Sequence, residues 1–120
     1  MKILVADDSP LVRRGVIATI TGEPGMEICG EAGDGNEAVR KTRELNPDLV
    51  LLDIRMPGPS GLETAKLLRK EFPQVKILIM SLHDTNTLAP KAREAGADGC
   101  VDKARLSLDL VLQIEELSKS

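Results

Sequence analysis

Aromatic side chains are almost absent from this chain: Phe72 stands alone, with no Trp and no Tyr. Stacking on nucleobases or sugar rings is therefore not open to it as a binding mechanism. No apolar run approaches the roughly 20 residues that span a bilayer. The amino-terminal segment Lys2-Ile3-Leu4-Val5-Ala6 meets Asp7 and Asp8 before a signal-peptide core could form. The chain is accordingly expected in the cytoplasm, away from membranes. An excess of basic charge is missing too: the net charge is −3, with acids and bases interleaved, so the chain lacks the electrostatic footprint of a nucleic-acid binder. Cys29 and Cys100 are isolated from each other in small or apolar surroundings and are expected reduced and buried rather than bridged. Nor are there phosphate-cradling glycines. The first strand-to-helix turn reads Ala6-Asp7-Asp8-Ser9-Pro10 instead of G-x-G-x-x-G, and no G-x-x-x-x-G-K occurs.

What is present suits one globular domain over residues 1–120, with 42% apolar and 29% charged residues. Its centre is Leu49-Val50-Leu51-Leu52-Asp53, four apolar residues running into a carboxylate, followed by the turn Ile54-Arg55-Met56-Pro57-Gly58-Pro59-Ser60-Gly61. A short run without polar alternation predicts a strand buried on both faces, as in a parallel sheet. Asp53 then falls at the strand's carboxyl end, where open α/β sheets bind ligands.

Around this strand the chain repeats one unit, a strand followed by a helix. Lys2–Ala6 predicts the first strand, and Ser9-Pro10 starts a helix with an N-cap hydroxyl and a proline at the first helical position. Val12, Val16 and Ile20 give that helix one buried face, and Gly22 to Gly25 ends it. Residues 26–31 read as a short edge strand. Asp34 and Glu37, then Ser60 and Glu63, are capping-box pairs opening the second and third helices, the third with Ala65, Leu68 and Phe72 on its inner face. Val75–Met80 predicts a strand ending at Ser81. For the fourth helix, Pro90 argues for a start near Leu88, because a proline in the helix interior removes a hydrogen bond at a cost of about 3 kcal/mol; Gly96 closes it. Gly99–Asp102 is a fifth strand followed by Lys103, and Ser107 is expected to cap a last helix with Leu110, Val111, Ile114 and Leu117 on one stripe. Such alternation predicts an α/β sandwich, a parallel sheet covered by helices on both sides.

In a parallel sheet all strand ends of one sense lie on one edge. Asp7-Asp8, Asp53, Ser81 and Lys103 are thereby expected to converge. Three carboxylates in one crevice repel unless something positive joins them, and with no His or Cys at these ends a hard cation such as Mg²⁺ fits better than a soft metal. With Lys103 and the Ser81 hydroxyl the crevice could hold a phosphoryl group, with Asp53 as the nucleophile that takes it. His83, two residues past Ser81, is expected to border the entrance.

These residues resemble, over essentially the whole chain, the receiver domain of two-component response regulators. The match lies in the acid pair Asp7-Asp8, the phosphoacceptor position Asp53 with its turn Asp53-x-x-Met56-Pro57-Gly58, the switch position Ser81 and the strand-five Lys103. The resemblance implies a flavodoxin-like (βα)5 three-layer sandwich with strand order 2-1-3-4-5. It also implies that Mg²⁺ is held by Asp7, Asp8, Asp53 and the backbone carbonyl of Arg55, and that a sensor histidine kinase is the phosphodonor. Asp8-Ser9-Pro10, Gly30-Glu31-Ala32 and Ala95-Gly96-Ala97-Asp98-Gly99 are closest to receivers with a carboxyl-terminal LuxR-type helix-turn-helix. Such a protein would control transcription, with a homodimer open to it, and would touch DNA only through an output domain that residues 1–120 do not contain; a piece of a longer protein and a stand-alone receiver both fit. The resemblance implies a phospho-switch rather than a turnover enzyme. An aspartate-nucleophile phosphatase would need an acid where Arg55 stands, whereas a receiver acting only as an interaction module is the alternative. One departure is clear: Cys100 stands where the family usually has the aromatic switch residue, either as simple packing or as a sign of another route of transmission.

Overall fold

A computed structural model describes residues 1–82 and 85–119, apart from the side chains of Thr85 and Leu108. Among these residues the strands are β1 (Lys2–Ala6), β2 (Glu27–Ala32), β3 (Leu49–Asp53), β4 (Lys76–Ser81) and β5 (Gly99–Asp102). The helices are α1 (Pro10–Ile20), α2 (Gly35–Leu45), α3 (Gly61–Glu71), α4 (Thr85–Glu94) and α5 (Leu106–Ser118). All strand pairs are parallel, in the order β2-β1-β3-β4-β5. This is the flavodoxin-like three-layer sandwich, with β3 in the middle and β2 at an edge, as the sequence predicts.

The strand period of two builds two cores. Leu4, Ala6, Val50, Leu52, Ile77 and Ile79 pack with residues of α2, α3 and α4 on one face. Ile3, Val5, Leu49, Leu51, Leu78, Met80 and Val101 pack with Val16 and Ile20 of α1 and Leu110 and Ile114 of α5 on the other. Every residue of β3 is buried, which is why its sequence shows no alternation: both faces are apolar because both are covered.

Local signals placed several helix starts. Ser9 Oγ accepts from the Val12 N–H at 3.2 Å with Pro10 at the first position of α1, Asp34 caps α2 through the Glu37 N–H, and Ser60 with Glu63 closes a full capping box on α3. Two expectations fail. The helix α4 starts at Thr85, not near Leu88, and carries Pro90 in its interior. Leu88 and Ala92 face the core, which leaves Asn86, Thr87 and Pro90 on the exposed side of the helix. Water can stand in there for the N–H that proline lacks, so Pro90 does not prevent a start at Thr85. Ser107 does not cap the last helix either. A 3₁₀ turn over Lys103–Arg105 intervenes, capped by Asp102, whose Oδ1 accepts from the Ala104 N–H at 2.8 Å. Asp102 thus serves the turn.

Cys29 and Cys100 are free and half-buried rather than fully buried, and burial pushes both thiols up from their ordinary value. They sit on β2 and β5, the two edge strands; four inter-strand spacings, roughly 19 Å, separate these strands and exclude a bridge within the chain.

Because Pro90 removes a backbone bond from an exposed helix face, Pro90→Ala is expected to raise stability by about 2 kcal/mol, the helical gain less the loss of unfolded-state restriction. Urea unfolding followed by far-ultraviolet circular dichroism checks this; an unchanged or lower midpoint would mean the ring packs productively.

Candidate functional site

The carboxyl edge of the sheet gathers the predicted charges. Alternation directs Asp53 to the same face as Leu49 and Leu51, and Asp7 follows Ile3 and Val5 in the same parity. Asp7 is fully buried and Asp53 nearly so, while Asp8 is exposed. Single carboxylate oxygens of Asp7, Asp8 and Asp53 lie within 4.8 Å of one another. Into this cluster the 3₁₀ turn after β5 delivers Lys103, whose Nζ is 2.7 Å from Asp7 Oδ2 and 2.9 Å from Asp53 Oδ1. The positive charge that three converging acids require is thus supplied in part by the chain itself.

The electrostatics follow from burial. Desolvation pushes the Asp53 carboxyl above its ordinary value; the Lys103 hydrogen bond opposes this, the Asp7 charge adds to it, and the Arg55 N–H donates to the carboxylate and opposes it. Burial by itself would lower Lys103, but its hydrogen bonds and charge interactions with Asp7 and Asp53 outweigh that and hold the ammonium above the ordinary lysine range.

An open cleft of about 270 Å³ lies over the cluster, lined by Asp8, Asp53, Ile54, Arg55, Leu82 and Lys103. Ser81 ends β4, fully buried. Its register is one step beyond the Asp53–Met80 pair, and alternation assigns it to the face of α2–α4, away from Asp53. Cys100 packs against that same core, and its carbonyl accepts from Gln113 Nε2 at 3.2 Å. His83, expected at the entrance, lies outside the described residues.

Two residues that sequence reasoning gave no role prove to hold the site in place. A Cβ at Gly61 would come within 2.3 Å of the Asp53 carbonyl oxygen, and the Gly61 N–H donates to the Ile54 carbonyl at 2.8 Å, so α3 starts directly against the end of β3. A glycine just behind an N-cap serine, where helix propensity does not favour it, was the available signal. Arg13 is the other. Its Nη1 donates to the Asp7 carbonyl at 2.6 Å and its Nε to Glu31 Oε1 at 2.9 Å. A cation one turn into a helix faces the positive end of the helix dipole, which marked it as held there by something else.

The donor set is all oxygen, it is partly buried, and it lies at the mouth of a cleft. That combination suits a small hard cation and an anionic group bound to it. Comparison with known proteins places the fold and this edge in context. The family model of the response regulator receiver domain matches residues 3–115. The response regulator GacA of Pseudomonas syringae is 33% identical over 114 residues, covering 95% of this chain and 53% of GacA. Among solved structures, a LuxR-family two-component response regulator from Aurantimonas sp. SI85-9A1 superposes with a TM-score of 0.91 at 40% identity, covering 97% of this chain and 83% of that one. The signal receiver domain of the putative response regulator NarL from Mycobacterium tuberculosis gives 0.91 at 31% identity, covering 99% and 96%. The chain belongs to the response-regulator receiver family. Its relatives include LuxR-family regulators, and it spans about half the length of the curated relatives it matches.

The pKa directions give a stability test. Because folding raises the Asp53 pKa, the native state holds that proton more tightly than the unfolded chain, so the ionised carboxylate lowers stability as pH rises through the carboxylate range. Asp53→Asn is therefore expected to be more stable than wild type at pH 7, with the difference shrinking as pH falls toward about 4, the ordinary carboxylate value. Lys103, with a raised pKa, contributes fully at neutral pH and loses its contribution only above the ordinary lysine range. Lys103→Met, which strands two buried carboxylates, is expected to lose on the order of 3 kcal/mol at pH 7. Urea titrations of the three proteins at both pH values read this, and an Asp53→Asn protein weaker than wild type at pH 7 would contradict it.

Proposed function

We propose that this domain is a phosphorylation switch in which Asp53 is the phosphoacceptor. The observation that carries the reading is the arrangement of one buried carboxylate at the end of the central strand, with two further acids within 4.8 Å and an ammonium at 2.9 Å. Asp53 attacks the phosphorus of a phosphohistidine on a sensor histidine kinase, or of a small phosphodonor. The O–P bond forms as the bond from phosphorus to the donor breaks: from phosphohistidine the imidazole leaves with the bonding pair and takes up a proton, and from an acyl phosphate the carboxylate leaves with the pair. Asp7, Asp8, Asp53 and the Arg55 backbone carbonyl would hold Mg²⁺, which when bound supplies charge neutralisation to the transferring phosphoryl oxygens.

Lys103 lies beside the accepting carboxylate, where its charge offsets that of the phosphoryl group once Asp53 carries it. Ser81 is the hydroxyl that follows the phosphoryl group; its position on the α2–α4 face gives the switch a path toward that side of the sheet. Cys100 on the same face takes the place of an aromatic in that transmission. The two states differ in population, and phosphorylation biases them.

The output is proposed to be transcriptional, through a LuxR-type DNA-binding domain of the kind that response regulators of this group carry beyond their receiver, with DNA contacted only there and residues 1–120 serving as one receiver unit. A homodimer and a cytoplasmic location accord with that role, and among the described residues no helix is long and apolar enough to cross a membrane.

Incubation with acetyl phosphate, followed by intact mass measurement, tests the chemistry. Wild type with Mg²⁺ is expected to gain one phosphoryl group, and neither Asp53→Ala nor metal-free wild type should do so. No adduct under any condition, together with no binding of beryllofluoride, would leave the domain as an interaction module only.

A further inference from the structure

Asp7 and Asp8 are held very differently. Every polar group of Asp7 has a partner: its N–H donates to the Ala32 carbonyl at 3.0 Å, Oδ1 accepts from the Ser9 N–H at 2.9 Å, Oδ2 accepts from Lys103 at 2.7 Å, and its carbonyl accepts from Arg13. The exposed Asp8 carboxylate has no hydrogen-bond or ion-pair partner among the described residues. No side-chain contact orients it, so what the carboxylate can reach is set by the backbone that places its Cα–Cβ bond, and the peptide joining Asp7 to Asp8 is the one whose carbonyl Arg13 grips. Arg13 is itself aimed by Glu31 on the edge strand β2, and its side chain is only 18% exposed. The guanidinium fork thus ties three elements together at one peptide bond: α1, β2 and the loop after β1.

We propose that Arg13 is a positioning residue for the acid pair: by fixing the Asp7–Asp8 peptide it holds the Asp8 carboxylate toward the cluster and so sets the divalent-cation affinity of the site. This rests on the reading of Asp7, Asp8 and Asp53 as the cation ligands. It makes a prediction whose sign is opposite to simple electrostatics. A guanidinium near a cation site repels the cation, so charge alone predicts that removing Arg13 tightens binding. Positioning predicts that binding weakens, because partners behind the ligands typically govern affinity by about ten- to a hundredfold.

Mn²⁺ binding, read as the free-ion signal by electron paramagnetic resonance, separates the two. Arg13→Gln is expected to bind Mn²⁺ about tenfold more weakly than wild type, and Arg13→Lys, which keeps the charge but not the two-pronged fork, also more weakly than wild type. In the metal-free proteins, amide spectra should show the largest shifts at Asp8 and Ser9, a readout that does not depend on metal. Should Arg13→Gln fail to fold, Arg13→Lys carries the test alone. Binding by either folded variant as tight as wild type, or tighter, overturns the proposal. Failure of wild type itself to bind Mn²⁺ would instead overturn the reading of the acids as cation ligands, and the role of Arg13 with it.

Discussion

One ammonium group joins the ends of the first, central and last strands of this structure. Lys103, from the turn after the last strand, bridges Asp7 after the first strand and Asp53 at the end of the central one. Each carboxylate by itself would be a buried charge with a large desolvation cost, and together they repel. The bridge makes their burial tolerable, and it joins Lys103 to a carboxylate 96 residues away in sequence as well as to Asp53. That contact becomes possible only when β1, β3, β4 and β5 run parallel and in register, so the integrity of the sheet and the charge state of the site are coupled.

The sheet also divides labour between its faces. Alternation sends Asp53 toward the α1/α5 face and Ser81 toward the α2–α4 face, although the two strands are neighbours. The ends of these neighbouring strands therefore place a carboxylate and a hydroxyl on opposite sides of the central layer. Cys100 lies against the second of these cores, and a side chain of its size has less reach than an aromatic ring. The helix α4 covers the same face through Leu88 and Ala92 and carries an interior proline on its exposed side.

Close approach of backbone does the remaining work. Gly61 lets α3 begin against the Asp53 carbonyl, and the full capping box at Ser60 and Glu63 fixes where that helix starts. On the other flank, Arg13 and Glu31 fasten the loop that bears the acid pair to the edge strand. Together these hold the strand end from two sides, leaving the cleft open above Asp8, Arg55 and Leu82.

Much of this was written locally in the chain. The uninterrupted apolar run of residues 49–52, the caps at Ser9, Asp34 and Ser60, and the recurrence of polar residues at strand ends are all short-range patterns. They determine the element order, the parallel sheet and the identity of the converging side chains. What they could not decide are quantities set by residues distant in sequence. The start of α4 depends on which side of the helix meets water, where Pro90 is tolerated, and that side is chosen by a core assembled from several strands against which Leu88 and Ala92 pack. The turn that replaced the expected Ser107 cap depends on where Lys103 must stand to reach both carboxylates. The grip of Arg13 on the Asp7 carbonyl depends on β2 lying beside β1. Local chemistry is legible because it acts between neighbours; burial and charge pairing are not, because their energies exist only once the chain has folded.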